Sequence, residues 1–238
     1  MNLNNIAKKT IAVYLFSVFY SGIMAQNRDA ALWENIYLEK KITPRIKIHL
    51  NHEGRITNNI TQFYYGYADM GVTYRLNKNF HVCLDYVFLE KYLDKSGASY
   101  RHQFYIAPTY KRKVNNFTFS LREMLQAQVQ DIYSSETGSI PVWFLRNKLT
   151  VKYDIKRFTP YVASELYVKL SEPNPINPEK VKQPAGIQPN RVRYFAGCFY
   201  ELNKVNYVEV YYLIENFFNM YYPRTNFVIG IGYAHEFY

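Results

Sequence analysis

The chain has 238 residues, 29 basic and 19 acidic, with aromatic residues at 18% and only two cysteines. A formal charge of +10 raises nucleic acid as a partner, but the basic residues are dispersed through alternating segments rather than gathered on one helix, which argues against it. Two cysteines are too few for a disulfide framework.

The N-terminus reads as an export signal. Lys8 and Lys9 precede an apolar run from Ile11 to Ile23, and Met24-Ala25-Gln26 supplies small-residue cleavage chemistry. The run is shorter than the roughly 18 to 20 residues of a spanning helix. We therefore expect residues 1–25 to be a cleaved signal peptide and residues 26–238 a single β-barrel domain. No cysteine follows the signal, which argues against a lipoprotein. The expected location is the bacterial outer membrane.

Beyond the signal no segment sustains helical periodicity, whereas period-two alternation recurs. The pattern predicts strands near residues 32–42, 45–55, 62–76, 79–90, 100–112, 117–130, 142–154, 158–170, 190–202, 205–216 and 225–238. These are long for a globular protein and suit the roughly 9 to 11 residues of a tilted membrane strand plus extramembrane ends. Connections alternate in length: Thr43-Pro44, Asn77-Lys78, Val114 to Asn116, Lys156-Arg157 and Asn203-Lys204 are short, whereas Tyr92 to Ser99 and Ser171 to Pro189 are long. Short turns on one side and long loops on the other is the construction of outer-membrane barrels. The fold class expected is all-β, an antiparallel up-and-down transmembrane β-barrel of about 10–12 strands. Eleven segments is an awkward number, because single-chain bacterial barrels normally have an even count.

The last segment carries the clearest alternation. Phe227, Ile229, Ile231, Tyr233 and Phe237 fall on one face, and Gly230, Gly232, Ala234 and Glu236 on the other. Aromatic pairs ten residues apart on one face (Tyr64 and Tyr74, Trp143 and Tyr153, Phe227 and Phe237) would rise roughly 23 Å along the membrane normal, close to the ~25 Å apolar band between aromatic girdles. The alternating series resembles the terminal assembly signal of outer-membrane barrels, with Phe237, Tyr233 and Ile231 as its residues and Tyr238 one beyond.

The inward face is where function would reside. It is expected to carry Arg101, Lys111, Arg122, Arg146, Lys148, Lys152 and Arg191, and toward the C-terminus Glu201, Glu209, Glu215 and Glu236. In strand order this places a basic wall beside an acidic one, a transverse field that would select ions in an open lumen. The same residues could instead plug the barrel with ion pairs. Glu123 and Asn147 fall on the nominally outward face, where a β-bulge resetting parity would remove either problem. Cys83 and Cys198 have opposite parity, so a bridge between them is not expected.

Catalytic and metal motifs are weak. The outer-membrane lipid hydrolases place a Ser two residues after a His, and here His102 is followed by Phe104 at that spacing. His49 and His52 lie on opposite faces of a strand and cannot share one metal. No enzyme activity, catalytic residue, metal or cofactor is expected.

Several short arginine-centred motifs resemble a family of uncharacterised Gram-negative outer-membrane β-barrels catalogued as a domain of unknown function. They are Trp33, Glu53-Gly54-Arg55, Arg101-His102-Gln103, Arg122-Glu123, Phe144-Leu145-Arg146 and Asn190-Arg191. The resemblance spans the mature chain and implies an exported barrel with no assigned activity or ligand, whose inward arginines form a structural network. The adjacency of Arg122 and Glu123 departs from the family's same-face Arg and Glu, which puts the register of the sixth segment in question.

The expected function is an outer-membrane barrel without assigned activity, serving as a structural or interaction scaffold or a narrow channel. Its expected partners are outer-membrane lipid and the barrel assembly machinery. A soluble exported barrel with an apolar ligand would turn its apolar face inward and would not need the terminal aromatic strand.

Overall fold

A computed structural model describes residues 27–93, 97–130, 141–171, 186–219 and 223–237. The expected signal, Tyr238 and the four prolines Pro173, Pro175, Pro178 and Pro184 lie outside the described residues. The strands are β1 (Asn27–Lys41), β2 (Ile46–Thr57), β3 (Gln62–Arg75), β4 (Phe80–Leu93), β5 (Gly97–Val114), β6 (Phe117–Gln130), β7 (Val142–Tyr153), β8 (Phe158–Ser171), β9 (Gln188–Asn203), β10 (Asn206–Phe217) and β11 (Arg224–Phe237). They close into one barrel in sequence order, with β1 against β11. Each consecutive pair is antiparallel.

The closing pair is different. With eleven strands the first and the last run in the same direction, so β1 and β11 pair in parallel, from Asn27 opposite Arg224 to Lys40 opposite Phe237. The odd count is thus genuine, and β1 is a full wall strand. It starts five residues before the expected boundary because Arg28 and Asp29, which break the apolar alternation, still pair with Thr225 and Asn226 across the closure.

The two ends of the barrel are built as the connection lengths indicate. Short turns at one end use local polar chemistry: Asn77 Oδ1 accepts from the backbone of Asn79 and Phe80, and Asn203 Oδ1 from that of Val205 and Asn206. Asn115 takes a left-handed φ of 52° in its turn, a conformation asparagine tolerates.

Alternation along every strand divides apolar outside from polar inside. Met70, Leu84, Phe104, Leu149, Val162, Val210, Ile229, Ile231, Tyr233 and Phe237 all project outward and are exposed. Charged and hydrogen-bonded side chains such as Glu165, Arg193 and Glu215 are buried inside. This is the polarity of a barrel whose solvent is lipid, and the inverse of one built to hold an apolar ligand.

One girdle position moves. Tyr64 is the extra residue of a bulge, because Arg55 pairs with Tyr65 but Ile56 pairs with Phe63. Phe63 therefore takes the outward aromatic place, edge-on to Tyr92 at 5.3 Å, and the Tyr64 ring lies beneath the Lys91 ammonium. Tyr74, Trp143, Tyr153 and Phe237 remain exposed on the outside as expected.

No bulge rescues Glu123 or Asn147. The β6–β7 register runs without a shift from Phe117–Tyr153 to Gln128–Val142 and sets the two residues directly opposite each other. Their polarity is accommodated by pairing: with its amide nitrogen turned toward Glu123, Asn147 donates to the carboxylate at 3.0 Å. The register of the sixth strand is regular, and Arg122 faces inward while Glu123 faces outward.

Candidate functional site: the barrel lumen

Because neighbouring strands are paired residue by residue, inward side chains line up in rows across the wall. One row alternates large and small from β8 to β1 and then continues with large side chains: Tyr161, Gly197, Tyr211, Gly230, Trp33, Arg55 and Tyr65 lie in successive register on β8, β9, β10, β11, β1, β2 and β3. A Cβ on Gly230 would stand 1.9 Å from Tyr211 Cζ, and one on Gly197 would stand 2.7 Å from Tyr211 Cβ. Gly230 is therefore the seat of the Tyr211 ring, and Gly197 that of the Tyr161 ring, whose Cε1 would stand 2.8 Å from its Cβ. Tyr161, Tyr211, Trp33, Leu213 and Val228 form a buried cluster, flanked by Phe195 and Phe199, that fills one side of the lumen.

A second row carries the charge. Arg122, Lys148, Glu165, Arg193, Glu215 and Asn226 are opposite one another in turn on β6 to β11. Glu165 Oε1 accepts from Arg122 Nη2 at 2.8 Å, from Arg146 Nη2 at 2.8 Å and from Arg146 Nε at 3.2 Å. Arg193 Nε donates to Glu215 Oε1 at 2.7 Å, and its Nη1 donates to the Tyr167 hydroxyl at 2.5 Å. Arg191 donates to Glu215 at 3.3 Å and stacks on Tyr167 with its guanidinium carbon 3.9 Å from the ring centre. Arg55 lies 3.7 Å over Trp33 and also pairs with Glu53. Planar guanidiniums that both stack and fork onto carboxylates suit such a network.

This arrangement corrects the expected separation of a basic wall from an acidic one. Acids and bases interdigitate in a single row because Glu165 on β8, which the sequence reading passed over, sits between Lys148 and Arg193. The inward parity of Glu165 with Tyr161, Ala163 and Tyr167 was the available signal. Arg193 was missed in the same way, two residues beyond Arg191.

The other expected lumen residues divide by height. Lys111, Arg122, Arg146, Lys148, Arg191 and Glu209 line a polar cavity of about 950 Å³ that runs from the short-turn rim at Pro44, Arg45 and Lys78 up to the arginine network. Glu209 accepts from the Tyr161 hydroxyl at 2.5 Å. Arg101 faces inward at the level of Leu89, near the opposite end, with its Nε buried and lacking a hydrogen-bond partner. Glu201 keeps inward parity but sits at the turn end opposite Tyr207, apart from the network. Lys152 packs its ammonium 4.0 Å from the Phe199 ring centre.

A family model described as a protein of unknown function, DUF2490, matches residues 30–226. The chain belongs to this family. The match begins just before Trp33 and ends at Asn226, so it includes every residue of the charged row. No curated protein matches the chain. Among solved structures, a NanC porin has a TM-score of 0.50 at 12% identity, covering 88% of this chain and 99% of the porin. The β-domain of the Bordetella autotransporter Brka has a TM-score of 0.48 at 10% identity, covering 83% of this chain and 86% of that domain. The porin likeness supports the transmembrane-barrel fold of this DUF2490 chain at the level of architecture.

The outer surface has a histidine of its own. Tyr86 and His102 are both outward-facing, with the Tyr86 hydroxyl 2.7 Å from His102 Nδ1 and the rings stacked at 6.0 Å. Ile231, Tyr233 and Phe237, the residues expected to form an assembly signal, are also on this surface. Cys198 has outward parity and Cys83 lines the lumen, and both are free thiols.

Proposed function

We propose that this barrel resides in the bacterial outer membrane and conducts small anionic solutes through a narrow lumen, without catalysing a reaction. The observation that carries the reading is the polar cavity of about 950 Å³ leading from the short-turn rim to a constriction rich in arginine. At that constriction Arg122, Arg146, Lys148, Arg191 and Arg193 outnumber Glu165 and Glu215, so the unbalanced charge facing a passing ion is positive. The exposed apolar belt and the porin-like architecture support membrane residence. Outer-membrane lipid against the belt and the assembly machinery at the terminal strand are the partners this reading requires. Hydrolase chemistry is disfavoured, since His102 meets a tyrosine and no serine stands two residues beyond it.

The test is reconstitution of the refolded barrel in planar bilayers under a salt gradient. The expected result is small discrete conductance with a reversal potential of anion selectivity, shifted toward cations by Arg122→Ala with Arg146→Ala. Unchanged selectivity in that double variant, or a heat-modifiable folded barrel that never conducts, refutes the channel and leaves a scaffold.

A further inference from the structure

Low in the lumen, away from the arginine network, four strands bring together groups of a different kind. His49 on β2, Gly71 on β3, Asp85 on β4 and Tyr105 on β5 are in direct register. Gly71 has no side chain to keep its neighbours apart, so His49 Nε2 and Asp85 Oδ1 meet across it at 2.6 Å. A Cβ there would lie 1.8 Å from Asp85 Oδ1 and 2.6 Å from His49 Cε1. Cys83, two residues before Asp85 on the same inward face, completes a set whose ligand atoms all lie within 4.8 Å of one another.

The donors are underused. The Asp85 side chain is 0% exposed, yet neither of its oxygens has an aligned hydrogen bond, and His49 Nδ1 and Asp69 Oδ1 are buried in the same condition. Burying a carboxylate costs several kcal/mol, roughly, and here the His49 imidazole meets one oxygen of Asp85; a divalent cation would offset more of that cost. The surrounding groups hold the donors in place: the Tyr105 hydroxyl donates to Asp69 Oδ2 at 2.8 Å, Thr73 Oγ1 lies 3.2 Å from Cys83 Sγ, and the Tyr37 ring stacks on His49 at 5.4 Å. Such outer contacts fix the orientation of metal ligands.

We propose that His49, Cys83 and Asp85 bind a divalent transition metal of the zinc class inside the barrel, with a water supported by Asp69 as fourth ligand. An imidazole, a thiolate and a carboxylate form a mixed set suited to tetrahedral zinc, whereas calcium and magnesium would demand oxygen alone. At bond lengths of about 2.0–2.3 Å, tetrahedral ligand atoms stand about 3.3–3.8 Å apart, so His49 Nε2 and Asp85 Oδ1 would separate from 2.6 Å while the wider pairs, all within 4.8 Å, would draw in. His49, Cys83 and Asp69 line the cavity, which gives the ion a path from the short-turn rim. Binding displaces the thiol proton and ties β2 to β4 across Gly71. The site is independent of whether the lumen conducts.

The experiment uses the refolded full barrel, stripped with chelator and titrated with Co²⁺ as a spectroscopic stand-in, then with Zn²⁺ in competition. The expected result is one equivalent of Co²⁺ with tetrahedral visible bands and a near-ultraviolet thiolate charge-transfer band, all abolished by Zn²⁺. Cys83→Ala should lose the charge-transfer band while keeping heat-modifiable migration, and Cys198→Ala should retain it. Tyr105→Phe should weaken binding by about 10- to 100-fold, as the loss of an outer contact does. Substoichiometric uptake by the folded wild type, or a band that survives Cys83→Ala, overturns the proposal. Should His49→Gln or Asp85→Asn fail to fold, the Cys83 pair of variants still decides.

Discussion

Replacing Glu165 is the sharpest probe of the lumen network. Its carboxylate is 1% exposed and accepts four hydrogen bonds from three guanidiniums, the longest from Arg193 Nη1 at 3.5 Å. Glu165→Ala leaves Arg146 with Gln126, at 3.0 Å, and the Tyr167 ring among the described residues, and leaves Arg122 without this carboxylate, while Arg193 keeps Glu215. Removing one member of a buried ion pair costs about 3–5 kcal/mol, because the stranded charge has lost both water and partner. Here the lower end applies, since Arg122 is partly open to the cavity and can rehydrate. We expect a loss of about 3 kcal/mol for Glu165→Ala and a smaller loss for Glu165→Gln, which preserves volume and one acceptor. The assay is urea unfolding of the barrel in lipid vesicles, read by tryptophan fluorescence and by heat-modifiable mobility. A cycle with Arg146→Ala should return a coupling of at least about 1 kcal/mol, because the two side chains touch. A Glu165→Ala variant within about 0.5 kcal/mol of wild type, the range of a surface substitution, would refute the view that the network is held by this carboxylate.

Three further outcomes follow from particular contacts. Gly230→Ala should destabilise by about 1–3 kcal/mol through overpacking against the Tyr211 ring, and in the same unfolding assay the double variant with Tyr211→Ala should cost less than the sum of the singles. On the lipid face, Asn147→Leu should destabilise by stranding Glu123, whereas Glu123→Leu with Asn147→Leu should stabilise by about 1–2 kcal/mol; equal signs for the two would refute the pairing. In the terminal strand, Phe237→Asp should lower the heat-modifiable membrane yield more than Tyr238→Asp, because Phe237 faces outward in the exposed belt; equal yields would count against an assembly role.

Much of the architecture is legible because a barrel strand writes its two environments into alternate residues. The turn at Asn77-Lys78, the outward series from Phe227 to Phe237 and the inward parity of Arg122, Arg146 and Lys148 need only the two-residue period of a strand. Local pattern fails where the period is interrupted. The bulge at Tyr64 transfers the girdle position to Phe63, and nothing in the order Gln62-Phe63-Tyr64-Tyr65 marks which residue is extra. Polar residues at the start of β1 conceal its first five residues, whose backbone partners lie far along the chain on β11. Adjacent Arg122 and Glu123 invited a bulge, whereas the actual answer was a partner for Glu123 on the next strand.

By itself the sequence determined the fold class, the direction most residues face outside the bulge at Tyr64 and the inventory of charges available to the lumen, because burial on one face and lipid on the other is a one-dimensional constraint. Tertiary structure alone decided which inward residues meet. Register between strands set Glu165 among the arginines, seated Tyr211 on Gly230, and closed the gap between His49 and Asp85 over Gly71. Parity repeats every two residues and is blind to the sliding of one strand past another; only the completed hydrogen-bond ladders, and the parallel closure of β1 on β11, fix that offset.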